Sequence, residues 1–305
     1  MPCSCARKAG ILRSMRLYPV LLAFLLPCVG AHAAAPGPAE IVAHAPDSAW
    51  RTLSPDRLLL MTTADGRRIV IELASDFAPV HVANVVRLAQ THAWDGGAII
   101  RVQDNYVVQW RVRDEKAPLP GGFVKNPPAE YDRPVAGIGF RPLGYPDSYA
   151  PQAGFAAGWP VGGDGTRVWP AQCYATVAVA RDMPPDTGNG QELYAVNGEA
   201  SRQLDRNLAV VGRVLVGMDQ LGALPRGTGA MGFYTDARQD VAIRRVVLAA
   251  DLPPAERPKI QAMRTESPSF DAYLAARAAR TDPFFVHPAH GVALCNAPVP
   301  SREVR

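Results

Sequence analysis

The chain has 305 residues, of which 48% are hydrophobic and 20% are charged, a balance typical of globular proteins and not of disordered or coiled-coil chains. Its formal charge of +4 equals the number of basic residues in the first 33 positions, which contain no acid. The rest of the chain is therefore neutral, without the excess of lysine and arginine that nucleic acids or anionic membranes attract. We expect no nucleic-acid partner.

Residues 1–33 predict a secretory signal peptide. Basic residues up to Arg16 precede an apolar run over 21–26, and an Ala-His-Ala tripeptide ends at Ala33, where signal peptidase would cleave. The run is shorter than the ~20 residues of a transmembrane helix, so no stable membrane anchor is expected. We expect a periplasmic or secreted mature protein. A lipid anchor on Cys28 is disfavoured, because a proline precedes that cysteine.

Two cysteines, Cys173 and Cys295, follow the predicted leader. An even pair in an oxidising compartment favours a disulfide, which would stabilise the fold by roughly 4 to 5 kcal/mol in the chain-entropy model. Two separate buried thiols are the alternative. The sequence contains no CxxC, no HExxH and no histidine cluster, so it predicts neither a metal site nor a cofactor.

The first elements after the leader are a linker, a hairpin and a helix. Composition predicts the linker over 34–56. The run 57–73 holds Asp65-Gly66 between two β-rich stretches, which indicates a hairpin with a two-residue loop. Apolar residues at helical spacing then predict a helix over 78–92.

Residues 114–172 are rich in proline and glycine, which predicts a long loop. Their aromatic content is too high for a disordered linker, so we expect this insertion to pack against the body. A second short helix fits 218–224. Short strands with two helices are typical of an antiparallel barrel. The remaining predicted strands are 98–102, 106–110, 174–180, 193–196, 208–216 and 241–249.

The tail, residues 253–305, is predicted as a C-terminal extension with one amphipathic helix. Ser269 is the expected N-cap, and Phe270, Tyr273 and Leu274 share one face.

An ordered set of motifs over 57–252 resembles the cyclophilin family of peptidyl-prolyl cis-trans isomerases. In chain order they are GRRIVIEL from Gly66, APVHVAN from Ala78, WDGGAIIRV from Trp94, YVVQ from Tyr106, VAVA from Val177, DTGNGQ from Asp186, LD at Leu204 and VVGRVLVGMD from Val210. The resemblance implies a mainly β fold: an eight-stranded antiparallel barrel capped by two helices, with a proline-binding groove on one face. The chain is identified as a divergent, exported bacterial member.

By this resemblance Arg101 and Gln109 are catalytic. Rotation about an X-Pro bond faces a barrier of ~18 to 20 kcal/mol, and the arginine would hydrogen-bond the prolyl nitrogen as the amide twists, while Gln109 holds the substrate backbone and orients the arginine. The residues implied to bind substrate are Tyr106, Val107, Gln191, Leu193 and Leu208.

Departures from the family concern the pocket. Glu192-Leu193 stands where members usually have two phenylalanines, Gln203 replaces a tryptophan that contacts cyclosporin, and Leu208 replaces a groove histidine. The lost aromatic area predicts weak cyclosporin binding and slower or more selective catalysis.

Two functions remain open. The first is a prolyl isomerase that assists the folding of exported proteins containing X-Pro bonds, whose isomerisation takes tens to hundreds of seconds uncatalysed. The second is a non-catalytic cyclophilin-like module, a chaperone or adaptor that binds Pro-containing segments. Retention of Arg101 and Gln109 favours the first, whereas the lost aromatic residues and the large insertion favour the second. A hydrolase is not expected, because the sequence lacks GxSxG.

Overall fold

The computed structural model describes residues 35–199, 201–281 and 284–304. The predicted signal peptide, residues 1–33, lies outside them. Within the described residues there are four α-helices, α1 (Pro38–Ala43), α2 (Pro79–Gln90), α3 (Met218–Gly222) and α4 (Pro268–Ala279).

The strands among the described residues are β1 (Trp50–Thr52), β2 (Leu58–Thr63), β3 (Arg68–Leu73), β4 (Ala98–Val102), β5 (Val107–Arg111), β6 (Arg133–Pro134), β7 (Phe140–Pro142), β8 (Gln152–Ala156), β9 (Trp159–Gly163), β10 (Arg167–Pro170), β11 (Thr176–Val179), β12 (Glu192–Val196), β13 (Val210–Val216), β14 (Val241–Leu248), β15 (Ile260–Met263) and β16 (Ser301–Glu303). The predicted strands agree with these bounds to within two residues.

Eight antiparallel strands close into a barrel in the order β11-β12-β5-β4-β14-β2-β3-β13. Alternate side chains point inward, as the two-residue period of a strand requires, and Trp94 and Trp110 are the largest side chains of the resulting core. Val85 of α2 and Leu221 of α3 belong to the same buried cluster. The predicted eight-stranded barrel capped by two helices is confirmed.

The hairpin between β2 and β3 has a longer loop than predicted. Thr63 N donates to Arg67 O and Gly66 N donates to Thr63 O, so residues 64–66 form a three-residue loop. Gly66 has a φ of +90°, the left-handed conformation that closes such loops. Asp65-Gly66 marks the turn correctly, but the glycine ends the loop and does not share a two-residue turn.

The insertion forms a second sheet, where the sequence predicted a long loop. Its five antiparallel strands lie in the order β6-β10-β9-β8-β7. Trp169 of β10 pairs with Gly162 of β9, and a Cβ at Gly162 would lie 2.5 Å from Trp169 Nε1. The glycine that suggested a loop is therefore required in this strand by the neighbouring indole.

The insertion sheet lies between the barrel and α4. On one face Trp159 and Val161 share a buried cluster with Tyr194 and Val196 of the barrel. On the other face Phe155 packs edge-on against Phe270 of α4, with 4.9 Å between the ring centres. The expected packing of the insertion on the body is thus present, in the form of two buried layers.

The predicted disulfide is present in the structure. Cys173 and Cys295 are bonded, with a sequence separation of 122 residues. Cys173 lies in the buried cluster between the insertion sheet and α4, so the bond joins the C-terminal extension to the region just before β11.

The segments before and after the barrel pair with each other in a three-stranded sheet. Residues 34–56 were predicted as a linker, but Trp50 of β1 pairs with Met263 of β15, and β15 also pairs with β16 near the C-terminus. The extension therefore contains two strands as well as α4. The predicted cap, Ser269, is wrong: Ser267 caps α4 by accepting from Phe270 N, because Pro268 takes the first helical position.

Candidate functional site

A β-bulge in β4 sets the direction of the Arg101 side chain. Ile99 pairs with Trp110 and Arg101 pairs with Gln109, so Ile100 is an extra residue between the two pairs. Without it, Ile99 and Arg101 would lie on the same face of the strand. The bulge lets Ile99 enter the barrel core while Arg101 points outward beside Gln109.

Three acceptors hold the Arg101 guanidinium. Nε donates to the Met231 carbonyl at 2.6 Å, Nη1 donates to Gln109 Oε1 at 2.9 Å, and Nη2 donates to Gln103 Oε1. The rings of Tyr106 and Phe233 lie 5.5 and 5.1 Å from the guanidinium carbon, within cation–π range. The side chain is therefore fixed on both its edges and its faces.

The loop that supplies Met231 and Phe233 is built onto the edge of β4. Tyr234 N donates to Ile100 O, and Gly227 N donates to Val102 O. Met231 itself is exposed and has a φ of +56°. Sequence reasoning missed this loop, since its contact with Arg101 depends on chain segments about 130 residues apart.

Gln109 links Arg101 to an acid. Its Oε1 accepts from Arg101, and its Nε2 donates to Glu192 Oε1. Burial raises the pKa of Glu192, and this effect outweighs the hydrogen bond from Gln109; Glu115 also raises it. Burial lowers the pKa of Arg101 while Tyr106 and Glu192 raise it, and an arginine remains charged in either case.

A groove with a volume of about 510 Å³ runs along this chain of side chains. Gln191 lines it together with Arg101, Gln109 and Glu192, and it holds its own orientation through Asn189, whose Nδ2 donates to Gln191 Oε1 at 2.8 Å. The lining carries both signs of charge. Its other charged members are Glu115, Arg181, Asp182 and Asp186.

A second cleft, of about 570 Å³, opens on the other side of Arg101, with Tyr106, Gln203 and Met231 in its walls. Tyr106 and Leu208 are half-buried against the apolar cluster that contains Tyr194. Tyr106 and Met231 supply the apolar surface of this cleft, and its other members are charged or polar.

The structure separates two of the predicted substrate-binding residues from the groove. Leu193 pairs with Trp110 and lies in the barrel core at 3% exposure. Val107 is 2% exposed, in the cluster under the insertion sheet. The prediction that Leu193 binds substrate is wrong. The register of β12 on β5 turns Leu193 into the barrel and places its neighbours Glu192 and Tyr194 on the outward face.

The wall formed by residues 186–191 is anchored to α2 by buried polar side chains. His81 Nδ1 lies 2.7 Å from Glu130 Oε2, and its Nε2 lies 3.3 Å from the Thr187 carbonyl. Glu130 also accepts from the backbone N–H groups of Val80 and His81. Burial would raise the pKa of Glu130, but these hydrogen bonds from His81 and Val80 lower it overall. An acid of the insertion therefore caps α2.

Within the described ranges there is no group of three or more His, Cys, Asp or Glu side chains that could hold a metal ion. In the same part of the chain, every helix is too short or too polar to span a membrane.

Comparison with known proteins gives a consistent result. A family model described as cyclophilin type peptidyl-prolyl cis-trans isomerase/CLD matches residues 58–248. Proteins from Brucella suis and Brucella abortus, each described as a probable peptidyl-prolyl cis-trans isomerase, are 27% and 26% identical over 178 residues, covering 58% of this chain and 75% of theirs. The crystal structure of cyclophilin AquaCyp293 from Hirschia baltica is similar with a TM-score of 0.66 and 25% identity, covering 83% of this chain and 93% of that one.

Proposed function

The chain belongs to the cyclophilin-type peptidyl-prolyl cis-trans isomerases, and from this premise we propose that Arg101 is its catalytic residue and that its substrates are X-Pro bonds of exported proteins. The observation that carries the proposal is the support of the guanidinium by Gln109, Gln103 and the Met231 carbonyl. That support leaves the cation between the groove lined by Gln109 and Glu192 and the cleft that contains Tyr106.

The chemistry requires a donor that meets the prolyl nitrogen only when the amide is twisted. In the planar amide the nitrogen lone pair is delocalised into the carbonyl, and in the twisted state it can accept a hydrogen bond. Arginine carries five N–H groups. Three of them have acceptors, and among the described residues no acceptor takes the other two. These two N–H groups, one on each Nη, are available to a substrate.

Positioning decides how much this donor contributes. A hydrogen bond that forms only in the transition state lowers the barrier, whereas one formed equally to the planar amide does not. A charged hydrogen bond contributes about 1.5 to 3 kcal/mol, and a hundred-thousand-fold acceleration requires about 7 kcal/mol. We assign the remainder to the apolar surface around Tyr106 and Leu208, where loss of water favours the less dipolar twisted amide.

The exported location is supported by two features of the chain. The N-terminal pattern ending at Ala33 is that of a signal peptide, and the Cys173–Cys295 disulfide is a bond that persists in oxidising compartments. A periplasmic location further presupposes a bacterium with two membranes. Fractionation of expressing cells, with mass measurement of the exported form, tests this: a mature N-terminus at Ala34 is expected, and retention of an unprocessed chain in the cytoplasm would contradict it.

A binding module without catalysis is the second candidate, favoured by the exposed Met231 in both clefts and by Gln203 at the position implied for a pocket tryptophan. Exchange spectroscopy on a short X-Pro peptide separates the two candidates. Isomerisation accelerated by substoichiometric protein supports the enzyme. Peptide binding without faster exchange, across several residues before proline, supports the module.

A further inference from the structure

We propose that Glu192 is a positioning residue of this site: its carboxylate anchors the nitrogen of the Gln109 carboxamide, so that the amide oxygen stays on Arg101 and holds it for the substrate. The inference rests on the proposed function of Arg101 and extends it to a partly buried acid of the same groove.

The hydrogen-bonding capacities of Arg101, Gln109 and Glu192 are complementary. An ionised carboxylate only accepts hydrogen bonds, and a guanidinium only donates them. Gln109 lies between the two, with its oxygen toward Arg101 Nη1 and its nitrogen toward Glu192 Oε1. The reversed amide would place nitrogen against N–H and oxygen against carboxylate. One orientation satisfies both neighbours: Arg101 requires the amide oxygen on its side, and Glu192 adds an acceptor that holds the amide nitrogen on the other side.

Strand register brings the three side chains to one face. Arg101 of β4 is directly opposite Gln109 of β5, and Tyr194 of β12 is directly opposite Gln109 on the other side. Glu192 is two residues before Tyr194, on the same face, at the diagonal distance that long side chains span. Gln109 is 6% exposed, so solvent offers it little competition for these partners.

The charge state of Glu192 sets how firmly Gln109 is held. The ionisable groups around it are Glu115 and Asp182, which raise its pKa, Arg111, which lowers it, and Arg101, Arg181 and Asp186 in the same groove. Burial is the largest effect and raises the pKa of Glu192. When Glu192 is protonated, its hydrogen bond from Gln109 loses the assistance of the negative charge, and the amide is held less firmly. Activity is therefore full above the pKa of Glu192 and falls as the pH drops through it.

The test compares Glu192→Gln and Glu192→Asp with Glu199→Gln, an exposed acid in the loop after β12. At pH 7.5 we expect Glu192→Gln to lower kcat/KM about tenfold, mainly through kcat, and to lose the acidic limb of the pH profile. Glu192→Asp, which keeps an acceptor-only group, retains that limb. Glu199→Gln follows the parent throughout. Glu192→Gln with parental activity and an unchanged acidic limb would overturn the proposal.

A second readout does not depend on catalysis. The side-chain NH2 resonances of Gln109 in ¹⁵N spectra should titrate with pH in the parent and be insensitive to pH over the same range in Glu192→Gln. If the parent proves inactive, the proposed function fails, yet this titration still decides the role of Glu192. Resonances that titrate alike in parent and variant would refute it.

Discussion

The side-chain amide of Asn84 donates to the Asn189 carbonyl at 3.0 Å, which ties α2 to the wall of the groove. The same amide donates to the Val124 carbonyl, and Asn84 Oδ1 accepts from Val124 N. Asn84 is fully buried. A single side chain therefore connects a barrel-capping helix, the insertion and the loop that would face the substrate.

Asn84→Ala should lower the free energy of unfolding by about 2 to 4 kcal/mol, because it leaves buried backbone groups without partners. Hydrogen exchange of residues 186–191 should become faster by more than the global loss of stability explains. The matched control is Gln90→Ala, an exposed position on the same helix, which should behave as the parent. Unchanged protection of 186–191 in Asn84→Ala would show that the loop is held by other contacts.

Glu130 should make stability depend on pH. Its pKa is lowered in the folded protein, so its contribution is present above the unfolded value near 4.5 and is lost as the pH falls through the folded value. Glu130→Gln should cost about 1 to 3 kcal/mol at pH 7, and this difference should shrink below pH 4.5. Urea unfolding of both proteins from pH 7 to pH 3 measures it, with the exposed Glu256→Gln as control. A difference that grows on acidification would contradict the assignment.

Removal of the disulfide should destabilise the fold. The double variant Cys173→Ser, Cys295→Ser should lose about 2 to 5 kcal/mol of unfolding free energy, because the bond closes a long loop of chain. The parent treated with reductant should unfold like the variant. Identical unfolding midpoints for the oxidised parent and the double variant would mean that the bond contributes nothing to stability.

Cyclosporin should bind weakly, and Gln203→Trp should tighten binding. Gln203 is exposed in the cleft beside Arg101 and Tyr106, where a tryptophan would add aromatic contact worth about 0.5 to 1.5 kcal/mol. Calorimetric titration should therefore show a gain of roughly three- to tenfold in affinity. Gln152→Trp, on the exposed side of the insertion sheet, controls for non-specific binding. Tight binding by the parent would show that the lost tryptophan is compensated elsewhere.

The barrel could be predicted from the sequence because its signals are local. Asp65-Gly66 marks a turn whatever the rest of the chain does, and the spacing of Val82, Val85 and Ala89 is that of a helix face. The insertion sheet could not be predicted in this way. Pro160 and Gly162 in β9 have low strand propensity, and β9 forms because its partners β8 and β10 and the indole of Trp169 complete it.

The candidate site likewise contains residues that the sequence predicts and residues that it does not. Arg101, Gln109 and Tyr106 stand in ordered motifs, so their proximity followed from the resemblance. The outward position of Glu192 and the inward position of Leu193 depend on the pairing of β12 with β5, and an alignment uncertain by one residue exchanges the two faces. The alternation of Val108, Gln109 and Trp110 between core and groove was the available signal for the correct register.

Catalysis by Arg101 is tested most directly by the cis-to-trans rate of a short X-Pro peptide with the parent, Arg101→Ala and Arg101→Lys. Arg244→Ala, which removes an exposed arginine of β14, is the matched control. We expect Arg101→Ala to lower kcat/KM at least tenfold with circular dichroism unchanged, Arg101→Lys to recover little because it lacks the planar fork of donors, and Arg244→Ala to equal the parent. An Arg101→Ala variant that is folded and accelerates isomerisation as well as the parent does would show that Arg101 is not the catalytic residue.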